Sequence, residues 1–374
     1  MSDEKNPALA GTRLSSPAAA LAPGMVLNNT YELESLLGQG GMGEVWKARH
    51  LRLPKSVAIK VLHATLNASG EIIARFQREA EIGARLAHPN IVHVSDFDAL
   101  PDGRRYIAMD FLEGESLADR LERGRMSFAE TKAVLEQTVR GLRVAHDAGV
   151  VHRDLKPDNL FLAHAPDEDP PFRVKILDFG ISKIQSPNVN LTRDMAVMGT
   201  PGYMAPEQAM GKTRDLGPAA DQFALATIVY EMLTGHIAFT GDTLAEVVLK
   251  VVQETPPPVR DTVPDVPAAA AAAVMRGMSK NPESRFPDVS TFHAAFTGAQ
   301  PLSPVAAAAT MAATEAVPAV VPATDPVPAP ERRGLPAAAL VAGMVAVGLG
   351  LGVGAFALTR GGDEAPGAPP AAAS

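Results

Sequence analysis

Between Tyr31 and about Gly298 the chain carries two hydrophobic rhythms in succession, and their order restricts the fold more than any other feature. The first stretch is made of short runs suited to strands: Glu44-Val45-Trp46-Lys47-Ala48, Val57-Ala58-Ile59-Lys60-Val61-Leu62, Ile91-Val92-His93-Val94 and Tyr106-Ile107-Ala108-Met109. Each is bounded by Gly, Pro or charged turns. After Glu115 the pattern becomes helical. Ser127 with Glu130 three residues on forms a capping box, Phe128, Val134, Leu135, Val139 and Leu142 recur at helical spacing, and Gly149 closes the helix. Roughly 270 residues of this texture can bury a large core. A small β-rich portion followed by a larger helical one predicts an α+β chain of two lobes with a crevice between them.

The flanks lack that texture. Residues 1–30 run through Ala, Pro and Ser with too little apolar surface to offset ordering, which predicts a disordered arm. No cationic start leads into an apolar core, so a secretory signal is not expected. Residues 298–333 are Ala/Pro-rich, and Pro318, Pro322, Pro326, Pro328 and Pro330 should hold them extended as a disordered spacer. From Leu335 to Leu358 there are 24 residues without a charge, where about 20 suffice to cross a bilayer. That predicts a single transmembrane helix, against a rival reading as an Ala/Gly-rich tail. Leu340, Val341, Met344, Val345, Leu349, Leu351 and Phe356 make the segment too apolar for a linker.

Arg332 and Arg333 before this span outnumber Arg360 after it, a weak signal placing the preceding domain in the cytoplasm and 359–374 as a short extracytoplasmic tail. The chain is thus expected in the cell (inner) membrane. Gly348 with Gly352, and Gly350 with Gly354, form small-xxx-small pairs that offer a route to a homodimer. The balance of 34 Lys+Arg against 42 Asp+Glu, net −8, leaves no general basic footprint and argues against nucleic acid. With no cysteine, a disulfide scaffold, a thiolate zinc site and thiol catalysis are excluded.

Four motifs carry chemistry. Leu37-Gly38-Gln39-Gly40-Gly41-Met42-Gly43-Glu44-Val45 holds G-x-G-x-x-G-x-V. In a dinucleotide fold these glycines would open a helix. Here they lead into a strand, which makes a strand-turn-strand flap whose backbone can approach a polyphosphate. Lys60 has apolar neighbours Val57, Ile59, Val61 and Leu62, so it needs an anionic partner. Glu79 shares a helix face with Ile72, Phe76, Gly83 and Leu86, whereas Glu81 falls with Gln77, Arg78 and Arg85 on a solvated face. Glu79 is therefore the inward carboxylate. His152-Arg153-Asp154-Leu155-Lys156-Pro157-Asp158-Asn159 places a carboxylate, an ammonium and a carboxamide within a short irregular segment. Such a set can orient a hydroxyl, neutralise a phosphoryl group and ligate a hard cation; His152 reads as a loop-fixing residue. Val174-Lys175-Ile176-Leu177-Asp178-Phe179-Gly180 adds a carboxylate at a strand end, and Gly199-Thr200-Pro201-Gly202-Tyr203-Met204-Ala205-Pro206-Glu207 closes the segment after it.

Taken in this order over about residues 31–297, the motifs resemble the protein-kinase family, specifically the bacterial eukaryotic-like serine/threonine kinases. The resemblance implies a two-lobed kinase fold and transfer of the γ-phosphoryl of ATP to protein Ser/Thr hydroxyls, with Mg2+ (Mn2+ as the alternative). Leu37, Gly38, Gly40, Gly43 and Val45 would cover the nucleotide. Ala58, Met109 and Leu112 would border the adenine, and Lys60 paired with Glu79 would hold phosphates. Asp154 would be the catalytic base, Lys156 would steady the γ-phosphate, and Asn159 and Asp178 would hold the metal. Arg153 implies control by activation-segment phosphorylation. Thr192 is read either as the acceptor or as an ordinary exposed threonine, and Thr200 belongs to the substrate wall. Glu207 with Arg285 would anchor the segment end. Ala226 departs from the family's usual Gly, and 165–171 is an acidic, Pro-rich insertion suited to a surface loop. Two other classes compete: a pseudokinase used for binding, and a small-molecule phosphotransferase of related fold.

Overall fold

Alternation along the strand containing Lys60 decides the layering of the N-terminal part. The computed structural model describes residues 20–67, 69–179, 201–212 and 216–299. Six strands, β1 (Val26–Leu27), β2 (Tyr31–Gln39), β3 (Gly43–His50), β4 (Ser56–Leu62), β5 (Val94–Ala99) and β6 (Arg105–Asp110), form a sheet in the order β1-β2-β3-β4-β6-β5. Every pairing is antiparallel. On β4, Val57, Ile59 and Val61 turn to one face and pack with Trp46, Ala48, Tyr106 and Ala108. Ala58 and Leu62 turn to the other, joined by Ile107 and Met109 and covered by Phe76 and Ala80 of helix α1 (Gly70–Arg85). Both faces are buried, so the strand reads as a nearly continuous apolar run. Helix α1 starts where Ser69 accepts from the Ile72 N–H, with Glu71 and Arg85 placed to suit its dipole.

The helical part follows: β7 (Gly114–Ser116), α2 (Leu117–Glu122), α3 (Phe128–Asp147), β8 (Leu160–His164), β9 (Phe172–Ile176), α4 (Pro206–Ala209), α5 (Pro218–Thr234), α6 (Leu244–Gln253), α7 (Val259–Thr262), α8 (Ala268–Gly277) and α9 (Val289–Thr297). The predicted capping box forms, with Ser127 and Glu130 exchanging bonds of 2.9 and 3.2 Å, and Gly149 closes α3 at φ 74°. Helix α5 is buried from Ala220 to Tyr230 on all sides, so it is the post around which α3, α8 and α9 pack. Strands β7, β8 and β9 form a separate three-stranded sheet at the crevice. The 165–171 insertion is the connection between β8 and β9, beyond the His164–Phe172 pair, and is largely exposed.

Two expectations meet a different or partial outcome, and a third is not reached by the described residues. The last part of the stretch expected to be disordered over 1–30 is structured instead: Val26 and Leu27 form β1 against β2, Leu27 is 2% exposed, and Leu21 and Met25 pack on the same cluster. Asn28 and Asn29, at φ 44° and 51°, reverse the chain there, a turn that composition alone made look like linker. The Ile91-Val92-His93-Val94 run is split. Val92 N–H donates to Ile176 O and Ile176 N–H to Asn90 O, so its first half pairs with β9 of the other sheet, and β5 begins only at Val94. The predicted span 335–358 and the 300–333 spacer lie outside the described residues; among the described residues no helix is long and apolar enough to cross a membrane.

Candidate active site

Lys60 sits on the α1-facing side of β4, between Ala58 and Leu62. Its Nζ lies 2.6 Å from Glu79 Oε1 and 2.9 Å from Asp178 Oδ2, so the spacing argument that selected Glu79 over Glu81 holds in space. Glu81 instead accepts from Gln77 on the exposed face. Burial works against the Lys60 ammonium, but Asp178 and Glu79 more than offset it and hold its pKa above the ordinary lysine value. Burial raises Glu79, Lys60 opposes that only in part, and Asp178 adds to the rise. Burial would likewise raise Asp178, yet the Lys60 ammonium keeps it below the usual carboxylate range. One buried cation thus organises two carboxylates that repel each other.

The glycine-rich turn joins β2 to β3. Gly40 N–H donates to Gly43 O at 2.9 Å, closing a tight hairpin over β4. A β-carbon at Gly43 would lie 2.0 Å from Val61 O, so no other residue fits there. Val45, Ala58, Met109 and Leu177 share one apolar cluster bordering Lys60. Leu37 and Gly38 lie on β2 ahead of the turn, with Leu37 49% exposed, and Leu112 is half-buried just past β6. Leu37 and Leu112 stay outside that cluster.

The segment from His152 to Asn159 is irregular, and a single carboxylate shapes it. Asp221, 1% exposed in the first turn of α5, accepts from His152 N–H at 2.7 Å, Arg153 N–H at 2.8 Å and His146 Nε2 at 2.8 Å. Burial would raise its pKa, but these bonds and the neighbouring histidines hold it below the usual range. His152 is fully buried, bonds Leu177 O through Nε2 at 2.9 Å and packs on Phe179, which is the loop-fixing role expected of it. Arg153 adopts φ 67°, and its carbonyl accepts from Gln208. Asp154 O accepts from Asn159 Nδ2 at 2.7 Å. Lys156 Nζ stands 4.0 Å from the Asp158 carboxylate. Arg153, Asp154, Lys156, Tyr203, Met204 and Gln208 border one cleft. Sequence reasoning missed the parts played by Asp221 and Gln208. A carboxylate at the start of an otherwise apolar helix was the available signal for Asp221.

The Asn159 donor set suits a hard divalent ion. Asp154 O takes the carboxamide nitrogen, so Oδ1 is left as an oxygen donor. Leu177 N–H bonds Asn159 O at 2.9 Å, which sets Asn159 beside the residue preceding Asp178. One amide oxygen and one carboxylate are the ligands that magnesium takes alongside phosphate oxygens. Farther out, Arg285 makes a bidentate pair with Glu207 at 2.7 and 2.8 Å and also donates to the Ala219, Ser279 and Lys280 carbonyls, as a structural anchor should. Thr192 and Thr200 lie outside the described residues.

Comparison with known proteins points the same way. Residues 31–292 match the protein kinase domain family. The chain is 39% identical over 277 residues to serine/threonine-protein kinase pkn3 of Myxococcus xanthus, covering 72% of this chain and 50% of that protein. It is 40% identical over 268 residues to serine/threonine-protein kinase PknA of Mycobacterium tuberculosis, covering 70% and 59%. The matches therefore span about half the length of these curated relatives. Among solved structures, the Mycobacterium tuberculosis PknI kinase domain aligns with a TM-score of 0.58 at 29% identity, covering 75% of this chain and 99% of that one.

Proposed function

This chain belongs to the protein kinase domain family, its relatives being bacterial serine/threonine-protein kinases, and from that premise we propose that it transfers the γ-phosphoryl of ATP to Ser/Thr hydroxyls of proteins. The observation that carries the reading is the convergence of Lys60 on Glu79 and Asp178 at 2.6 and 2.9 Å, beside a loop that holds Asp154, Lys156 and Asn159 in fixed order. In the step, the substrate oxygen attacks the γ-phosphorus, the bond from that phosphorus to the β–γ bridging oxygen breaks, and ADP leaves. Asp154 takes the hydroxyl proton. Lys60, oriented by Glu79, holds the nucleotide phosphates, and Lys156 offsets charge on the transferred group. Asn159 and Asp178 would hold magnesium, which supplies charge neutralisation across the phosphates. Catalysis is positioning and electrostatics, with no covalent enzyme intermediate.

Regulation and placement belong to the same proposal. Burial disfavours the Arg153 guanidinium, Asp221 offsets that in part, and Arg78 of α1 adds a smaller unfavourable contribution. A phosphate on the segment between Asp178 and Thr200 would give this part-buried guanidinium a further anionic partner, which supports autophosphorylation with Thr192 as acceptor. The uncharged 335–358 segment supports a single-pass membrane anchor with the kinase domain on the cytoplasmic side of the cell membrane. Its glycine pairs support self-association there.

The test is radiolabelled phosphate transfer from ATP by the purified chain, with Asp154→Asn and Lys60→Met alongside. Transfer to protein that both substitutions abolish is the expected result. Incorporation by Asp154→Asn equal to the parent would remove the mechanism. Turnover of a sugar or aminoglycoside with no protein labelling would favour a small-molecule phosphotransferase instead.

A further inference from the structure

A glycine-rich turn has a weakness. Where Gly40 meets Gly41, neither residue has a β-carbon to oppose rotation, so their shared peptide can flip at little cost. A flip would exchange an N–H for a carbonyl oxygen on the side facing the nucleotide, and a carbonyl there repels phosphate. A turn that binds phosphate through its backbone therefore gains from a latch on this peptide.

His63 supplies the contacts such a latch needs. It follows β4 directly, three residues beyond Lys60, and is half-buried. Its Nε2 lies 2.9 Å from Gly40 O, and its backbone N–H donates to Met42 O at 2.9 Å. A carbonyl oxygen only accepts, so Nε2 carries the proton in this contact. Because the peptide is planar and trans, holding Gly40 O toward His63 sends the Gly41 N–H to the opposite side of the turn. Gly43 O is occupied by Gly40 N–H. The carbonyls of residues 40, 42 and 43 are thus all engaged within the protein, two of them by His63.

The same residue ties the turn to the rest of the site. His63 O accepts from Leu66 N–H at 3.0 Å and Asn67 N–H at 3.2 Å, in the bend that leads to the Ser69 cap of α1. One residue thus touches the phosphate turn, the end of the Lys60 strand and the entry to the helix carrying Glu79. We propose that His63 is a positioning residue that latches the Gly40–Gly41 peptide with its N–H toward the nucleotide phosphates. This rests on the reading of the turn as the phosphate cover.

The experiment compares the parent full-length chain with His63→Phe, which keeps the ring and loses the donor, and His63→Gln, whose Nε2 can replace it. Affinities for ATP and for adenosine are measured for each, together with KM for ATP and kcat in protein phosphorylation. The expected result is a KM and dissociation constant for ATP raised roughly five- to tenfold in His63→Phe, the worth of one hydrogen bond. Adenosine affinity and kcat stay within about twofold, and His63→Gln recovers most of the loss. An unchanged ATP affinity in His63→Phe overturns the latch, as does an equal loss for adenosine and ATP, or a His63→Gln as impaired as His63→Phe. A parent chain that binds neither ligand overturns the kinase reading, and the latch with it. A parent that binds both with His63→Phe unchanged overturns the latch alone.

Discussion

Replacing Gly277 with Ala tests how closely α8 is seated on α5. A β-carbon at Gly277 would lie 2.7 Å from Ala226 Cβ and 3.4 Å from Phe292 Cε2, with Ala226 itself fully buried. The first distance is about 1 Å short of a comfortable carbon–carbon contact. Neither partner is the free end of a flexible chain, so helices must shift, and overpacking of this kind costs about 1–3 kcal/mol. Against it stands the Gly-to-Ala gain in helix propensity, about 1 kcal/mol at most and less at the last residue of a helix. Gly277→Ala should therefore lose about 1–2 kcal/mol. Ala226→Gly alone should lose about 2 kcal/mol, from one buried methyl and a glycine inside α5. The double substitution moves the methyl from one helix to the other and removes the clash, so it should be more stable than the two losses predict together, by about 1–3 kcal/mol. Urea unfolding of all four proteins by circular dichroism measures that coupling. Additivity within about 0.5 kcal/mol would refute the reasoning, because it would mean that the two β-carbons never meet.

Other substitutions probe the site and its supports. Asp221→Asn keeps one acceptor oxygen for three donors, so at least one buried N–H group loses its partner, at about 1–3 kcal/mol. Asp221 is held below its unfolded pKa, so its contribution is present above that unfolded value and lost as pH falls toward the folded one. The parent's acid unfolding limb should flatten in Asp221→Asn, and an unchanged limb in a pH series of urea melts would contradict this. Lys280 lies over Phe223 and Phe239, and burial with Arg285 nearby pushes its pKa down to about 8. Between that value and the unfolded one the native state binds fewer protons, so stability should rise with pH across about pH 8–10. In Lys280→Met that rise should vanish in the same melts. Glu207→Gln leaves the buried Arg285 guanidinium short of its charge partner, and about 3–5 kcal/mol of stability should be lost by urea unfolding.

What could be read in advance was whatever depends on local periodicity. Alternation on β4 and the helical face of α1 were enough to pair Lys60 with Glu79, because each side chain's direction follows from its own element. The capping box of α3 and its closing Gly149 are local for the same reason. What could not be read depends on partners distant in the chain. Asp221 receives bonds from residues some 70 positions earlier, and nothing in its own neighbourhood names them. The Ile91-Val92-His93-Val94 run has strand composition throughout, yet only pairing with Ile176 decides where it divides. Val26 and Leu27 form a strand because β2 offers an edge, and the short run alone gave no sign of it. Nothing beside His63 in the sequence points to its contacts, because its partners are a turn more than 20 positions upstream.

The backbone bonds joining Asn90 and Val92 to Ile176 stitch the two sheets together close to the Lys60–Asp178 pair. Such a stitch forbids the lobes from simply sliding apart and leaves rotation about it as the cheap motion, like a book turning on its spine. Opening at the glycine-rich rim then grows with distance from that axis. Asp178, two residues beyond Ile176, stays almost at the spine and moves least.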